Sequence, residues 1–234
     1  MRPRERIVVF TGAGVSAESG LRTFRDGDGL WEEHRLEDVA TPGAWQRDPE
    51  LVLRFYDERR AHVRRAVPNA AHLAIASLQD HFEVDVVTQN IDDLHERACS
   101  RRVLHLHGEI LMARSSVDPK LRYPLTGDTI PREARCAKGS PLRPDVVWFG
   151  EPVPLILKAA DLVAAADRLV IVGTSLQVWP AAGLVMEARP DSEVVIIDPA
   201  QVDLPRSGIR HIRKKASSGM PELAFQWIRS LEAH

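Results

Sequence analysis

Short, solid apolar runs punctuate this chain. Five stand out, at Ile7–Phe10, Val84–Thr88, Val103–Leu106, Leu169–Val172 and Val194–Ile197, with a weaker one at Val146–Phe149. Runs that are apolar at nearly every position suit a parallel sheet covered on both faces, because neither side of the strand meets water. Helical patterns fill the gaps. Asn69 stands as an N-cap before "AAHLAIASLQDHF", and Asp48-Pro49 joins a capping carboxylate to proline at the first helical position. Pro180 opens "PAAGLVMEA", and Met220–Leu231 closes the chain with an amphipathic helix. Strands alternating with helices predict an α/β fold, a Rossmann-like doubly wound parallel sheet that binds its ligand at the strands' carboxyl ends.

Two stretches break the alternation. Residues 27–68 hold a polar loop and one long helix, and residues 108–144 are rich in Pro, Arg, Asp and Ser with little periodicity. They predict a small lobe built from two excursions, beside a large lobe of about 1–26, 69–107 and 145–234. Together they make one domain spanning 1–234, a length that suits a single domain. A formal net charge of −2 gives no electrostatic reason to expect nucleic acid or a membrane surface as partner. The apolar run in "MRPRERIVVF" is too short for a signal-peptide core or a membrane span, so the expected location is cytoplasmic. Two cysteines, Cys99 and Cys136, cannot form a disulfide framework and are expected to stay reduced.

Chemistry enters with "FTGAGVSAESGLRTFRD". Gly12-Ala13-Gly14 directly after a strand lets a backbone approach a pyrophosphate, although a strand followed by Gly-x-Gly is also an ordinary tight turn. A second such turn, "VGTSLQVWP", places Thr174 and Ser175 at another strand end. In "TQNIDDLHERA", Asp92 either caps the next helix or joins Gln89 and Asn90 in holding a ribose or carboxamide. "LHLHGE" puts His105 and His107 on one face of a strand, where a structural role competes with that of general base.

Taken together and in order, "GAGVSAESGLRTFRD", "QNID", "HLHGE", "RPDVVWFGE" and "VGTSLQVWPAAG" resemble the sirtuins, NAD-dependent protein-lysine deacylases, over nearly the whole chain. The resemblance implies that NAD is consumed as co-substrate, releasing nicotinamide and O-acyl-ADP-ribose. It makes His107 the general base, with Asn90 and Asp92 as catalytic partners that bind the nicotinamide ribose and carboxamide. Phe24 then shields the reactive ribose face and Arg25 orders the loop that carries it. The expected cofactor-binding set also takes in Gly12, Ala13, Gly14, Ser16, Ala17, Asp26 and Trp31. Gln89, Ile91, Gly173, Thr174 and Ser175 complete it, with Asp198 and Ala216 on the adenosine side. Asp198 stands where the family often has Asn, so a different adenosine contact is expected there. Val147, Phe149, Gly150 and Glu151 are expected to bind the peptide along an exposed strand edge. ADP-ribosyl transfer to protein and a catalytically silent NAD or ADP-ribose module are the alternatives. Intact His107, Asn90 and Asp92 speak against the silent module.

The acyl group is addressed by "FYDERR". Val52, Tyr56, Arg59 and Val63 fall on one helical stripe. Arg59 either pairs with Asp57 or Glu58 or turns its charge to a ligand. The Tyr-x-x-Arg pattern resembles the bacterial class III sirtuins that remove succinyl, malonyl or glutaryl groups, which implies that Tyr56 and Arg59 bind the acyl carboxylate by charge-assisted hydrogen bonds, with deacetylase activity retained. Ala44 is expected to widen that pocket. Most sirtuins also hold a zinc on four cysteines. Here Ser115 stands where the first pair belongs and Cys136 is alone in "RCAKGS", so no zinc is expected.

Overall fold

The computed structural model describes residues 4–21, 30–31, 34–174, 176–202 and 207–232, the side chains of Leu30, Trp31 and Glu232 excepted. The chain opens with β1 (Arg6–Thr11), the one-turn helix α1 (Gly14–Ala17) and a two-residue hairpin of β2 (Leu30–Trp31) and β3 (His34–Arg35). Four helices follow, α2 (Leu36–Val39), α3 (Pro42–Arg47), α4 (Pro49–Arg65) and α5 (Ala70–Ser77). Next come β4 (Glu83–Thr88), α6 (Leu94–Arg97), β5 (Val103–His105), β6 (Gly108–Ser115), β7 (Arg122–Pro124) and β8 (Leu142–Val146). The chain ends through α7 (Ile156–Ala164), β9 (Arg168–Val172), β10 (Glu193–Ile197), β11 (Arg210–Ile212) and α8 (Ala216–Glu232).

Six parallel strands form the main sheet in the order β11-β10-β9-β1-β4-β5. Counted along the chain this is 3-2-1-4-5-6 read from the β5 edge, the doubly wound arrangement, and it reverses direction beside β1. Alternate residues of each central strand enter opposite cores. Ile7, Val9, Val170 and Val195 pack with Ile75, Met220 and Trp227 on one face. Val8, Phe10, Ile171 and Ile196 pack with Ala159, Val163 and Leu184 on the other. Burial on both faces explains the solid apolar runs.

Both sequence-read caps form. The Asp48 carboxylate accepts from Leu51 N at 2.9 Å, and Asn69 Oδ1 accepts from Ala71 N at 2.9 Å. Three expectations change. The weak run at Val146–Phe149 is no member of the parallel sheet. Its strand, β8, lies at Leu142–Val146 and pairs antiparallel with β6 in a separate sheet, order β7-β6-β8. "PAAGLVMEA" winds as a 3₁₀ segment, Ala181–Glu187, and the last helix starts four residues early at Ala216 with Pro221 inside its second turn. A third cluster, with Phe55, Tyr56, Val63, Ile110 and Trp148, packs α4 against the antiparallel sheet. Among the described residues no helix is long and apolar enough to cross a membrane.

Candidate active site

A cavity of about 950 Å³ opens at the carboxyl end of the parallel sheet, bounded by the turns after β1, β4 and β9, by α4, and by the segment leaving β8. The two glycine turns interlock. Gly12 N donates to Val172 O at 3.1 Å and Gly14 N to Gly173 O at 2.8 Å. A Cβ on Gly12 would lie 2.7 Å from Thr174 Cβ, and one on Gly14 would lie 2.7 Å from Gly173 Cα. The glycines are thus demanded by each other as much as by a ligand. Val15 N and Ser16 N also donate internally, to Gly12 O and Ala13 O. The turn therefore offers a close-approach surface more than a row of unpaired helix-terminal N–H groups.

A buried polar chain crosses the floor. Asn90 Nδ2 donates to Gly12 O at 3.2 Å and to Ser16 Oγ at 3.1 Å, and Ser16 Oγ donates to Asp92 Oδ2 at 3.0 Å. The other oxygen of Asp92 accepts from Leu94 N at 3.2 Å. The N-cap of α6 is Asp93, not Asp92; Asp92 stands just before it, one oxygen meeting the first turn of α6 and the other the cavity floor. Burial raises the pKa of Asp92, with the bonds from Leu94 and Ser16 pulling the other way. Gln89 Nε2 donates to Thr174 Oγ1 at 3.1 Å, tying the β4 turn to the β9 turn.

The two histidines of "LHLHGE" part company. β5 ends at His105, and His107 sits in the turn before β6, so they do not share a strand face. That turn needs Gly108, at φ +85°, where a side chain would strike the Asp145 carbonyl. His105 is spent on Asn90 O and on the Glu96 carboxylate, each at 2.8 Å, and stands away from the cavity. Burial alone would lower its pKa, but Glu96, the Asn90 carbonyl and Glu109 together hold it above the ordinary value. His107 lines the cavity, its Nδ1 3.0 Å from Gln89 O. A carbonyl only accepts, so Nδ1 carries the proton and Nε2 keeps its lone pair in the neutral ring. Burial lowers the His107 pKa, favouring that neutral form.

At the other end, α4 brings Tyr56 and Arg59 to the wall, both buried. Asp57, one alternative partner for Arg59, is engaged instead by Arg60 at 2.8 Å and Arg132 at 3.1 Å. Tyr56 Oη accepts from Trp148 Nε1 at 3.1 Å, and burial pushes the phenol far above its usual range. Ala40 lines the cavity, whereas Ala44 packs behind it. The expected peptide edge takes a different form. Val147 N donates to His107 O, Phe149 N to Ala40 O and Glu151 N to Trp148 O. Trp148 N donates to Glu151 Oε2, and that carboxylate also meets Arg143 and Arg114. The segment is a turn whose N–H groups are largely committed.

Gly12, Ala13, Gly14, Ser16, Ala17 and Gln89 through Asp92 all line this one cavity. So do His107, Val147, Phe149, Gly150, Glu151, Gly173, Thr174, Asp198 and Ala216. Phe24, Arg25, Asp26 and Ser175 lie outside the described residues, as does the side chain of Trp31. Sequence reasoning missed Glu18, Gln177, Val178 and Trp179, which also line it. Glu18 accepts from Ser217 N at 3.1 Å, fastening α1 to the start of α8 beside Ala216. Nothing local signals that bond, because its partners are 199 positions apart.

The description "Sir2 family" attaches to the family model that matches residues 12–180. A protein of Helicobacter pylori named NAD-dependent protein deacylase is 48% identical over 221 residues, spanning 94% of this chain and 96% of its own length. A mutant Sir2 homologue solved with ADP-ribose superposes with a TM-score of 0.90 at 39% identity, covering 99% of this chain and 95% of that one. A Sir2 homologue solved with NAD gives 0.87 at 40% identity, covering 97% and 91%.

Proposed function

Since this chain belongs to the Sir2 family and is an NAD-dependent protein deacylase, we propose which residues do the work and which acyl groups it prefers. The interlocked glycine turns would hold NAD, with Asn90 and Asp92 toward the nicotinamide ribose and Asp198 and Ala216 toward the adenosine. Bound there it would supply an electrophilic ribose carbon for the acyl oxygen of a protein lysine, and loss of nicotinamide with uptake of one water would free the lysine and leave the acyl group on ADP-ribose. His107 takes a proton from a ribose hydroxyl at Nε2. The observation that carries this role is the Nδ1–H bond to Gln89 O, which leaves Nε2 as the base on a ring lining the cavity. Asn90, Ser16 and Asp92 hold one another and exclude water from the floor. The carbonyls of Val147, Phe149 and Gly150 receive the peptide, and Glu151 stiffens their turn through Arg143 and Arg114.

The acyl group is acidic in this reading, succinyl or malonyl before acetyl. Support comes from a guanidinium and a protonated phenol in a nearly dry wall, which match a carboxylate and are poorly served by a methyl group. Matched succinyl- and acetyl-lysine peptides with NAD test it by peptide-dependent nicotinamide release. Arg59→Met is expected to lower the succinyl-to-acetyl ratio of kcat/KM at least tenfold. An unchanged ratio would sink the acyl assignment, and label transferred from NAD to protein would favour ADP-ribosylation instead.

The small sheet is proposed to hold without zinc. Its donor set does not fit four-ligand coordination, because Cys136 is the only thiol there. Ser115 hydrogen-bonds the Cys136 thiol and lowers its pKa, while Lys138 N donates to Sγ at 3.3 Å. Lys138 Nζ pairs with Asp118 at 2.8 Å across the same loops. Among the described residues no three His, Cys, Asp or Glu side chains gather for a metal. Metal analysis of purified protein is expected to find far less than one zinc per chain, and stoichiometric zinc would overturn the proposal.

A further inference from the structure

We propose that His105 is a positioning residue, which as an imidazolium holds the Asn90 turn by its backbone carbonyl and lets it go when the ring loses a proton. The inference rests on the assignment of Asn90 to the nicotinamide ribose. His105 does not line the cavity, so it reaches the reaction only through that turn. A carbonyl and a carboxylate both accept hydrogen bonds and donate none. His105 Nδ1 faces Asn90 O and Nε2 faces Glu96 Oε1, each at 2.8 Å. Both bonds exist together only when both ring nitrogens carry hydrogen, which makes the ring a cation. A neutral ring has one hydrogen for two acceptors. The carboxylate is the stronger acceptor, so Glu96 keeps it and Nδ1 turns a lone pair toward Asn90 O.

The same short helix, α6, holds the other backbone group of Asn90. Asn90 N donates to Thr88 Oγ1 at 3.0 Å, and Thr11 Oγ1 donates to Thr88 Oγ1 at 2.8 Å. His95 Nε2 lies 3.0 Å from Thr11 Oγ1, and Thr11, Thr88 and His95 are all fully buried. Two adjacent residues of α6 therefore reach Asn90 by separate routes, His95 toward its N–H and Glu96 toward its carbonyl. With both backbone groups fixed, Asn90 Nδ2 is aimed at Gly12 O and Ser16 Oγ on the cavity floor. The first route does not titrate near neutrality, because burial holds His95 neutral. The second does. Glu96 on α6, the Asn90 carbonyl and Glu109 on β6 raise the His105 pKa against burial. The positive ring also favours the carboxylate form of Asp92 in the turn and disfavours a proton on His95.

The test is a pH profile of kcat/KM for NAD with the parent protein, His105→Gln and Glu96→Gln. The parent is expected to lose activity above pH ~6.5, along a limb set by the raised His105 pKa. His105→Gln is expected to abolish that limb and to lower kcat/KM for NAD about tenfold at pH ~6. Glu96→Gln removes the competing carboxylate, so a neutral ring can keep its hydrogen on Asn90 O, and the limb is expected to flatten. An ion pair that merely supports the fold predicts lower melting temperatures in both variants and an unchanged profile. Nitrogen NMR of the His105 ring is expected to show both nitrogens protonated at pH ~6 and Nδ1 bare above the limb. A limb that survives in both variants, or a ring with a single proton at pH ~6, overturns the role of His105. If Asn90→Ala leaves kcat/KM for NAD unchanged, the assignment of Asn90 fails, and this inference with it. The NMR result needs no NAD, so it tells the two failures apart.

Discussion

His107 donates from Nδ1 to the Gln89 carbonyl, and burial lowers its pKa below the ordinary imidazole value. A base works in its unprotonated form, so a lowered pKa keeps the working form present to lower pH. The acid limb of kcat/KM for the acyl peptide is therefore expected below pH ~6.5. A pH profile of the free enzyme checks this, and a limb lying above that value would contradict the neutral, buried ring. His107→Ala is expected to cost about a hundredfold or more in kcat. The residue was legible in the sequence because a histidine before a glycine, just past an apolar run, already marks a turn at a strand's end. Its neighbour misled, since His105 looks equivalent by spacing but meets a carboxylate presented by α6. Trp148 was read only as part of a peptide-binding stretch. Its partner Tyr56 is 92 positions away, and only the packing of α4 on the end of β8 reveals the bond.

At the scale of elements, sequence and structure agree where one force dominates. β1, β9 and β10 are buried on both faces and announce themselves as solid apolar runs. β11 is three residues, Arg210–Ile212, at the sheet's edge, too short and too polar to be seen. β6 was hidden for another reason. Its buried residues, Ile110, Ala113 and Ser115, do not keep a strict alternation, and Arg and Ser within it blur the pattern further. The cap of α5 carries a prediction. Asn69 and His72 form its capping box, His72 is fully buried, and burial lowers its pKa to about 4. His95, whose ring centroid lies 4.9 Å away, is also lowered well below the ordinary value by burial. In the unfolded chain both titrate near pH ~6.5. Between that pH and the folded value the unfolded state binds more protons, so their contribution is complete above ~6.5 and is lost as pH falls toward 4. His105 acts in the opposite sense, because its raised pKa adds stability below ~6.5 that is lost as pH climbs through its folded value. Melting temperature is thus expected to drop between pH ~6.5 and 5. His72→Gln retains a side chain able to complete the box but removes one titration, so that slope should flatten in thermal melts. An identical slope would assign the loss to other groups.

For the molecule as a whole, function depends on how α4 and the antiparallel sheet are held against the parallel sheet's carboxyl edge. If no metal braces the small sheet, another tie must. Arg60 is fully buried, donating from Nε to Ile110 O at 2.7 Å and from Nη1 to Asp128 O at 2.6 Å and Asp57 Oδ1 at 2.8 Å. Asp57 Oδ1 also accepts from Ile130 N at 3.1 Å, and Oδ2 meets Arg132 at 3.1 Å. One ion pair therefore joins α4 to β6 and to the loop before β8. Replacing such a pair wholesale by apolar groups can be neutral, but removing one member strands a buried charge, at a cost of about 3 to 5 kcal/mol. Asp57→Ala should lower the melting temperature by roughly 10 °C, while a chelator should leave the parent protein's melting temperature in place. The kinetic consequence is more telling than the melting shift. Asp57 and Arg60 alternate with Tyr56 and Arg59 along α4, whereas the interlocked glycines belong to the parallel sheet. Loosening the tie should therefore raise KM for the acyl peptide well above any change in KM for NAD. Equal rises in both, or a melting temperature that falls with chelator and not with Asp57→Ala, would show that the acyl wall is held in some other way.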